Sequence, residues 1–274
     1  MIEIQADLHT HSDLSDGKGT LEENVEAAYR QGLGCIACTE HGPRHMKAGI
    51  SMRQLSELRR RVDRLNQQYQ GKLTVLMGLE SNLISLEGEL DVPEAYREYF
   101  DILLMGFHLS ARPTTLSECW MFQIANPRAE QRYSERYRQK ATEAYLRAIE
   151  KNRFDILVHP GLHWPLEYQK IAEACQAYGV AMEISARPKH LIFNEKQTRQ
   201  MAKTGVQFVI DSDGHKPEEI GRVQSAIDFA ERAGLGLEQI LNAKGRELPA
   251  FRRGIPAGND GLVLGTGSHP GLPW

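Results

Sequence analysis

The sequence lacks any long apolar segment. A membrane-spanning helix needs about 20 consecutive apolar residues, and no stretch of the 274 residues approaches that length. Met1 is followed at once by an alternating segment with charged residues, where a signal peptide would have an apolar region. We therefore expect neither a membrane anchor nor a secretory signal.

Cysteine is also scarce, with four residues at positions 35, 38, 119 and 175. Cys35 and Cys38 form a Cys-x-x-Cys pattern, but it lies within a predicted strand, where positions i and i+3 point to opposite faces. We therefore interpret both thiols as buried strand residues that neither pair nor share a metal ion. This cysteine usage is typical of a reduced, cytoplasmic protein.

An excess of positive charge is missing as well. The formal net charge is -3 and the sequence pI is about 6.4, whereas a dedicated nucleic-acid-binding protein usually has a basic stripe. Hydrophobic residues make up 41% and charged residues 25% of the chain, as in an ordinary globular domain. The length fits one βα-barrel domain.

The usual nucleophile motifs are absent too, since the sequence has neither a Gly-x-Ser-x-Gly elbow nor a glycine-rich phosphate loop. What it has is a series of potential metal ligands, most of which directly follow a short apolar run. Residues 75–79 precede Glu80, for example, and residues 156–158 precede His159. The complete set has nine members: His9, His11, Asp16, His41, Glu80, His108, His159, Asp213 and His215.

Short apolar runs separated by amphipathic helical patterns are typical of the strands of a parallel sheet. A ligand at the end of each strand places all the ligands on one rim, which is how a βα-barrel builds its catalytic face. One zinc ion takes four ligands, so nine predict more than one ion. Imidazole-rich sets with carboxylates favour zinc, iron or manganese over magnesium or calcium.

The first segment, residues 2–11, alternates between apolar and polar residues. A strand has a period of two, so Asp7, His9 and His11 are predicted to share one face, with Asp7 orienting one of the rings. A single His-x-His pair is as often two surface histidines at a strand end. The other seven potential ligands favour the interpretation as a metal site.

Several of these segments match motifs of one protein family. They are Asp7-Leu8-His9-Thr10-His11-Ser12, Ser15-Asp16-Gly17, Thr39-Glu40-His41-Gly42-Pro43, Gly78-Leu79-Glu80, Met105-Gly106-Phe107-His108, Val158-His159-Pro160-Gly161 and Ser212-Asp213-Gly214-His215. In this combination and order the chain resembles the PHP (polymerase and histidinol phosphatase) family over roughly residues 1 to 250. Residues 239–243 resemble the closing helix of the small free-standing bacterial phosphatases in that family.

The resemblance implies an α/β fold, a distorted seven-stranded (β/α)7 barrel similar to a TIM barrel, with three divalent transition metal ions (Zn, Mn or Fe). It implies that Glu80 bridges two of the ions. The implied ligand sets are His9, His11, Glu80 and Asp213 for the first ion, Glu80, His108 and His159 for the second, and Asp16, His41 and His215 for the third. Two departures stand out: Glu40 replaces the usual Asp of a Thr-Asp-His motif, and Gly214 stands where a small side chain is usual.

Such a cluster supports hydrolysis by a metal-bridging hydroxide, because metal ions lower the pKa of bound water. Glu80 and Asp213 are then catalytic as well as ligating. Arg187, just beyond predicted strand six, suits a bidentate contact to a substrate phosphate, although a surface arginine in a loop is the alternative. We interpret His45, His163 and His190 as ordinary rim residues, and Asp211 as a residue that supports a ligand.

Two segments, residues 109–127 and 251–274, lie outside the alternation of strands and helices. Residues 109–127 form an aperiodic loop next to the predicted site, either a lid or substrate wall or a loop that its aromatic residues pack onto the barrel. Residues 251–274 are rich in Gly and Pro and are predicted to be a tail behind a PHP domain that spans residues 1–250.

The favoured function is a metal-dependent phosphatase acting on a small phosphorylated metabolite. A histidinol-phosphate phosphatase is one alternative, although such relatives tend to have His at the position of Asp16. A nucleotide or nucleic-acid phosphoesterase is another, disfavoured by the acidic pI, and a metal-dependent amidohydrolase is a third. A non-catalytic PHP module is the alternative from a different class; the filled ligand positions argue against it.

Overall fold

Seven short strands form one parallel sheet in which the order of the strands follows their order along the chain. The computed structural model describes residues 2–119, 121–122, 135–249 and 251. The strands are β1 (Ala6–Thr10), β2 (Cys35–His41), β3 (Thr74–Asn82), β4 (Ile102–Gly106), β5 (Ile156–Leu157), β6 (Ala181–Ser185) and β7 (Phe208–Asp211).

Helices cover the outside of the sheet. They are α1 (Leu21–Arg30), α2 (Leu55–Gln68), the short α3 (Leu116–Cys119), α4 (Glu135–Lys151), α5 (Tyr168–Tyr178), α6 (Glu195–Ala202) and α7 (Gln224–Arg232). The described part of the chain also contains four 3-10 helices: Met52–Gln54, Glu94–Tyr99, Pro217–Glu219 and Leu237–Gln239. Thr20 begins α1 with a capping box, since its side chain accepts from the Glu23 N–H and the Glu23 carboxylate accepts from the Thr20 N–H.

The first and last strands approach each other and nearly close the sheet into a barrel. The His11 N–H donates to the Gly214 carbonyl at 2.9 Å beyond the strand ends. Between the strands, the Asn242 side-chain amide donates to the Ala6 and Ile210 carbonyls and accepts from the Ile210 N–H. A side chain thus replaces part of the backbone pairing at this seam. The predicted seven-stranded (β/α)7 barrel is confirmed.

Residues 239–243 do not form the closing helix that the sequence predicts. The 3-10 helix Leu237–Gln239 is followed by a turn, before which Ile240 pairs with Phe208 and in which the Leu241 N–H donates to the Phe208 carbonyl. Hydrogen bonds to β7 and to Gln5 use the backbone groups that a helix would need. The segment closes the barrel as a bridge between β1 and β7.

The barrel has an inner and an outer apolar core. The inner core includes Cys35, Ala37, Leu104 and Val209, while the outer core, which includes Cys38, packs the sheet against the helices. Cys35 and Cys38 are both buried and belong to different cores. This confirms that they lie on opposite faces of β2.

A β-bulge in β1 overturns the predicted alternation of residues 2–11. Asp7 pairs with Ile36 but Thr10 pairs with Cys38, so β1 has one extra residue between these positions. Leu8 lies in the inner core, and yet His9 also faces the barrel interior. Asp7 does not orient a ligand ring; it accepts hydrogen bonds from Ser212 and Gly221. A one-residue bulge reverses which face the following side chains occupy.

Two further predictions fall partly outside the described residues. Of the 109–127 loop, residues 120 and 123–127 lie outside them, and so does the tail from residue 252 onward. The assignment of residues 1–250 as one domain and of 251–274 as a tail therefore stays a prediction. Among the described residues, no helix is both long enough and apolar enough to cross a membrane.

Candidate metal centre

All nine predicted ligands meet at the end of the barrel where the strands finish. His9 and His11 come from the end of β1, His41 from β2 and Glu80 from β3. His108, His159 and the pair Asp213 and His215 follow β4, β5 and β7. Their side-chain donor atoms form overlapping groups that could each hold an ion, because the atoms of each group lie within 4.8 Å of one another. The groups are His11, Asp16, His41 and His215; His9, His11 and Glu80; His9, His159 and Asp213; and His41, Glu80 and His108.

Glu80 lies at the centre of the site, and its two carboxylate oxygens face different histidines. Oε1 lies 2.8 Å from His159 Nε2 and 3.3 Å from His108 Nε2. Oε2 lies 3.7 Å from His9 Nε2 and 3.6 Å from His11 Nε2. Separations of this kind suit one carboxylate that bridges two ions.

The His9 and His11 rings converge on the same point as Asp213. The Nε2 atoms of His9 and His11 are 3.1 Å apart. Asp213 Oδ1 lies 3.9 Å from His9 Nε2 and 3.6 Å from His11 Nε2. These three side chains and Glu80, whose Oε2 lies beside the two rings, are the ones that the resemblance assigns to the first ion.

A third group lies on the solvent side of the cluster. Asp16 Oδ1 is 3.3 Å from His41 Nε2 and 3.3 Å from His215 Nε2. Burial alone would lower the pKa of His41, but the carboxylates of Glu80 and Asp16 outweigh it and raise that pKa to about 10. A metal ion at this position must therefore displace a proton from the imidazole.

The buried polar atoms fit a set of cations. Glu80 Oε2 is fully buried, and its nearest polar neighbour among the described residues is His41 Nδ1 at 2.8 Å, which is not aligned for a hydrogen bond. Burial opposes ionisation of Glu80, but the neighbouring imidazoles of His108, His41 and His9 outweigh it and hold its pKa well below the usual range. A buried, ionised oxygen without a donor is unfavourable by about 1–3 kcal/mol or more, and a bound cation would satisfy it.

The backbone adopts unusual conformations at two of the candidate ligands. His159 and Asp213 have positive φ angles of 31° and 50°, a region that non-glycine residues seldom occupy. Gly106 lies directly behind Glu80, because a Cβ atom there would sit 2.7 Å from Glu80 Oε1 and 2.9 Å from His159 Cε1. Only glycine leaves room for the central carboxylate at this position.

Sequence reasoning missed the residues that orient two of the rings. Glu183 in β6 has Oε1 2.7 Å from His9 Nδ1, and its Oε2 accepts the His159 N–H at 2.6 Å. His108 Nδ1 lies 2.8 Å from Asn82 Oδ1, and the Asn82 amide donates to the buried Asp91 carboxylate. The available signal for Glu183 was a glutamate on the inner face of an otherwise apolar strand.

The sequence pattern also predicts that Asp211 supports a ligand and that His163 is a rim residue. Asp211 Oδ1 accepts the Leu8 N–H at 2.7 Å and lies 3.3 Å from the Asn242 amide, so it joins β7 to β1. This contact closes the barrel and does not orient a ligand ring. His163 lies in the loop after β5 and has a positive φ angle of 64°.

The basic side chains of Arg187, His190 and His45 line the rim of the site. Arg187 Nη1 donates to the Asp213 carbonyl at 2.9 Å and also contacts His215 Nδ1. His190 Nδ1 lies 2.6 Å from Asp213 Oδ2, so this residue touches a predicted ligand and is more than an ordinary rim residue.

His45 stacks parallel to His41 with ring centres 4.4 Å apart. Its Nδ1 accepts the Ala48 N–H, and its Nε2 contacts Ser110. Burial and the neighbouring His41 lower the pKa of His45 to about 4. We therefore place a neutral ring here, packed against the site.

Comparison with known families gives a match to the PHP domain, whose family model aligns with residues 7–187. The chain belongs to the PHP domain family. The residues matched span more than half of the chain and include seven of the nine predicted ligands, from His9 to His159.

Relatives and a solved structure agree with this assignment. A probable phosphatase of Thermoanaerobacter sp. (strain X514) is 26% identical over 254 residues, which cover 88% of this chain and 91% of that protein. A probable phosphatase of Shewanella piezotolerans is 26% identical over 258 residues, covering 89% and 92%. Together with the histidine and carboxylate cluster, these findings identify this PHP protein as an enzyme, a metal-dependent phosphatase.

The fold also matches that of a crystal structure, the histidinol phosphate phosphatase of Lactococcus lactis in complex with zinc, L-histidinol and phosphate. The TM-score is 0.58 and the match covers 85% of this chain and 94% of that chain. At 17% identity this likeness shows a common fold and leaves the substrate of the present protein open.

Proposed function

We propose that this PHP protein holds three transition metal ions and hydrolyses small phosphomonoesters. The observation that carries the proposal is the position of Glu80, whose two oxygens face separate histidine pairs. A third group of Asp16, His41 and His215 lies beside them. The family resemblance implies how these side chains divide among three ions, and zinc, manganese or iron suits their chemistry.

When bound, the ions would supply an activated water and neutralise charge on the phosphate oxygens. The side chains of this enzyme prepare the site for that chemistry. Glu80 would hold two of the ions, and Glu183 and Asn82 hold the His9 and His108 rings so that Nε2 faces the cluster. No protein nucleophile is needed, in agreement with the absence of a nucleophile motif.

Arg187 is suited to bind the substrate phosphate. Its Nη1 is held by the Asp213 carbonyl, while within the described residues neither Nε nor Nη2 makes a hydrogen bond. These two nitrogens form one side of the guanidinium fork, which matches two phosphate oxygens. The side chain is about one-third exposed (32%), so the fork is accessible from solvent.

The experiment is phosphate release from a panel of phosphorylated metabolites, including histidinol phosphate and nucleoside monophosphates, with added manganese or zinc. We expect turnover of phosphomonoesters that a strong chelator abolishes and added metal restores. The Glu80→Gln enzyme should lose most of this activity, because an amide cannot bridge two cations as a carboxylate does. The matched control is Glu57→Gln, the same change at an exposed glutamate of α2.

Wild-type turnover by a metal-loaded Glu80→Gln preparation would contradict the proposed role of Glu80. Hydrolysis of an amide or of a nucleic acid in preference to every small ester would replace the proposed substrate class.

A further inference from the structure

Glu40 is a buried acidic residue next to the ligand His41 that the proposed chemistry does not use. Its side chain lies on the outer face of β2, the face of Cys38, while His41 points into the barrel mouth. Glu40 is fully buried. A buried carboxylate needs partners that compensate for its desolvation, and those of Glu40 lie in one loop.

The partners are two serines that flank the loop after β1. Glu40 Oε1 accepts the Ser12 hydroxyl at 2.5 Å and the Ser12 N–H at 3.2 Å, and Oε2 accepts the Ser15 hydroxyl. We call Glu40, Ser12 and Ser15 the Glu40 cluster. It holds the loop at two points three residues apart.

The loop between these points delivers Asp16 to the third group of ligands. The Ser15 and Gly17 N–H groups both donate to the Ser12 carbonyl, at 3.1 and 2.9 Å, so the chain folds back tightly on itself. Gly17 is needed for this turn, since a Cβ atom there would lie 2.5 Å from the His11 carbonyl oxygen. Asp16 sits within this turn, directly after Ser15.

Asp16 differs from the other eight predicted ligands in its exposure. Its side chain is 42% exposed, whereas those of His41 and His215, its neighbours, are 5% and 15% exposed. Strands or the residues that end them hold the other ligands, but a surface loop holds Asp16. An ion bound there would have to order that loop unless the protein orders it in advance.

We propose that Glu40 is a positioning residue that presets the Asp16 loop, and that the ion held by Asp16, His41 and His215 is the weakest of the three. This inference rests on the proposed three-ion centre. Glu40 touches neither the ion nor the substrate, and acts through Ser12, Ser15 and the turn that they fix. Loss of the Glu40 cluster lowers the affinity for one ion and leaves the other two bound.

The reason is local geometry. The other two ion positions use ligands at the ends of β1, β3, β4, β5 and β7, and these ligands all lie outside the Ser12–Gly17 turn. Outer partners of metal ligands typically change metal affinity by about 10- to 100-fold when they are removed. We expect an effect of this size at the third position alone.

The test is titration of metal-free protein with Zn²⁺, followed by competition with a chelator and by elemental analysis. The wild-type protein should bind three equivalents, two tightly and one more weakly. Glu40→Ala should weaken the third equivalent by about 10- to 100-fold. Ser15→Ala, which is milder and tests the idea even if Glu40→Ala fails to fold, should weaken it in the same direction, and Ser15→Thr should restore it because the hydroxyl returns.

Glu118→Ala is the matched control. Glu118 also accepts hydrogen bonds from two hydroxyl groups, those of Thr114 and Thr115, and from the Leu86 N–H, but the loop that it holds contains no predicted ligand. The Glu118→Ala protein should bind all three ions with the same affinities as the wild type.

Equal weakening of all three equivalents in Ser15→Ala, or no weakening of any, would overturn the inference. A wild-type protein that binds fewer than three ions would instead contradict the three-ion centre, so the two failures are distinguishable.

Discussion

Glu183 in β6 and His9 in β1 face each other inside the barrel, with Glu183 Oε1 2.7 Å from His9 Nδ1. When the Glu183 carboxylate accepts a hydrogen bond from Nδ1–H of His9, the lone pair of Nε2 is free to face the cluster. The second oxygen of Glu183 accepts the His159 backbone N–H at 2.6 Å. One side chain therefore sets the orientation of two predicted ligands on different strands.

We predict that Glu183→Gln lowers metal affinity by about 10- to 100-fold. The glutamine oxygen can accept from only one of the two N–H groups, so its amide N–H₂ must face the other donor. Competition between the protein and a chromogenic chelator for Zn²⁺ measures the effect, with circular dichroism as a check on folding. An affinity equal to that of the wild type would show that Glu183 is not needed to orient His9.

A second prediction concerns Gly106, which lies behind Glu80. Gly106→Ala should abolish most metal binding and phosphatase activity, because the added methyl would overlap with Glu80 Oε1 and with the His159 ring. The matched control is Gly34→Ala, whose methyl would meet only the Gln5 carbonyl oxygen, at 3.7 Å. A well-folded Gly106→Ala protein with normal metal content would mean that Glu80 can move aside without loss of the site.

The third prediction tests the guanidinium fork of Arg187. Arg187→Ala should lower kcat/KM for phosphate esters by about ten- to a hundred-fold, equivalent to roughly 1.5–3 kcal/mol. Arg187→Lys should recover little of this loss, because a point charge does not replace two parallel N–H donors. Metal content should be retained, because the Asp213 carbonyl also has His215 Nδ1 within 2.9 Å as a donor.

Steady-state kinetics and elemental analysis of the same preparations check this prediction. If kcat/KM is unchanged in Arg187→Ala, the phosphate is held by the metal ions alone or by another basic side chain of the rim, such as His190.

The meeting of the candidate ligands at one end of the barrel could be predicted from the sequence, because it depends on a local rule. An apolar run that ends in His41, Glu80 or His159 reads as a strand with a ligand at its end, and parallel strands deliver such residues to one rim. The loop position of Asp16 and the role of Arg187 do not follow from that rule. The family resemblance implies that Asp16 is a ligand, and the role of Arg187 stays a prediction.

Contacts between distant segments could not be predicted in the same way. The bulge in β1 is a register shift between two strands, and no single-strand period reveals it. Glu183 is 174 residues away from His9 in the sequence, and Asn242 is 236 residues from Ala6. Such pairs become neighbours only when the barrel closes, so a single sequence does not reveal which residue pairs with which.

Anomalous X-ray diffraction from crystals of metal-loaded protein is the most direct test of the proposed centre. We predict three anomalous peaks within the cluster: one near His9, His11 and Asp213, one near His108 and His159, and one near Asp16, His41 and His215, with Glu80 between the first two. A single peak, or peaks away from these side chains, would contradict the three-ion site.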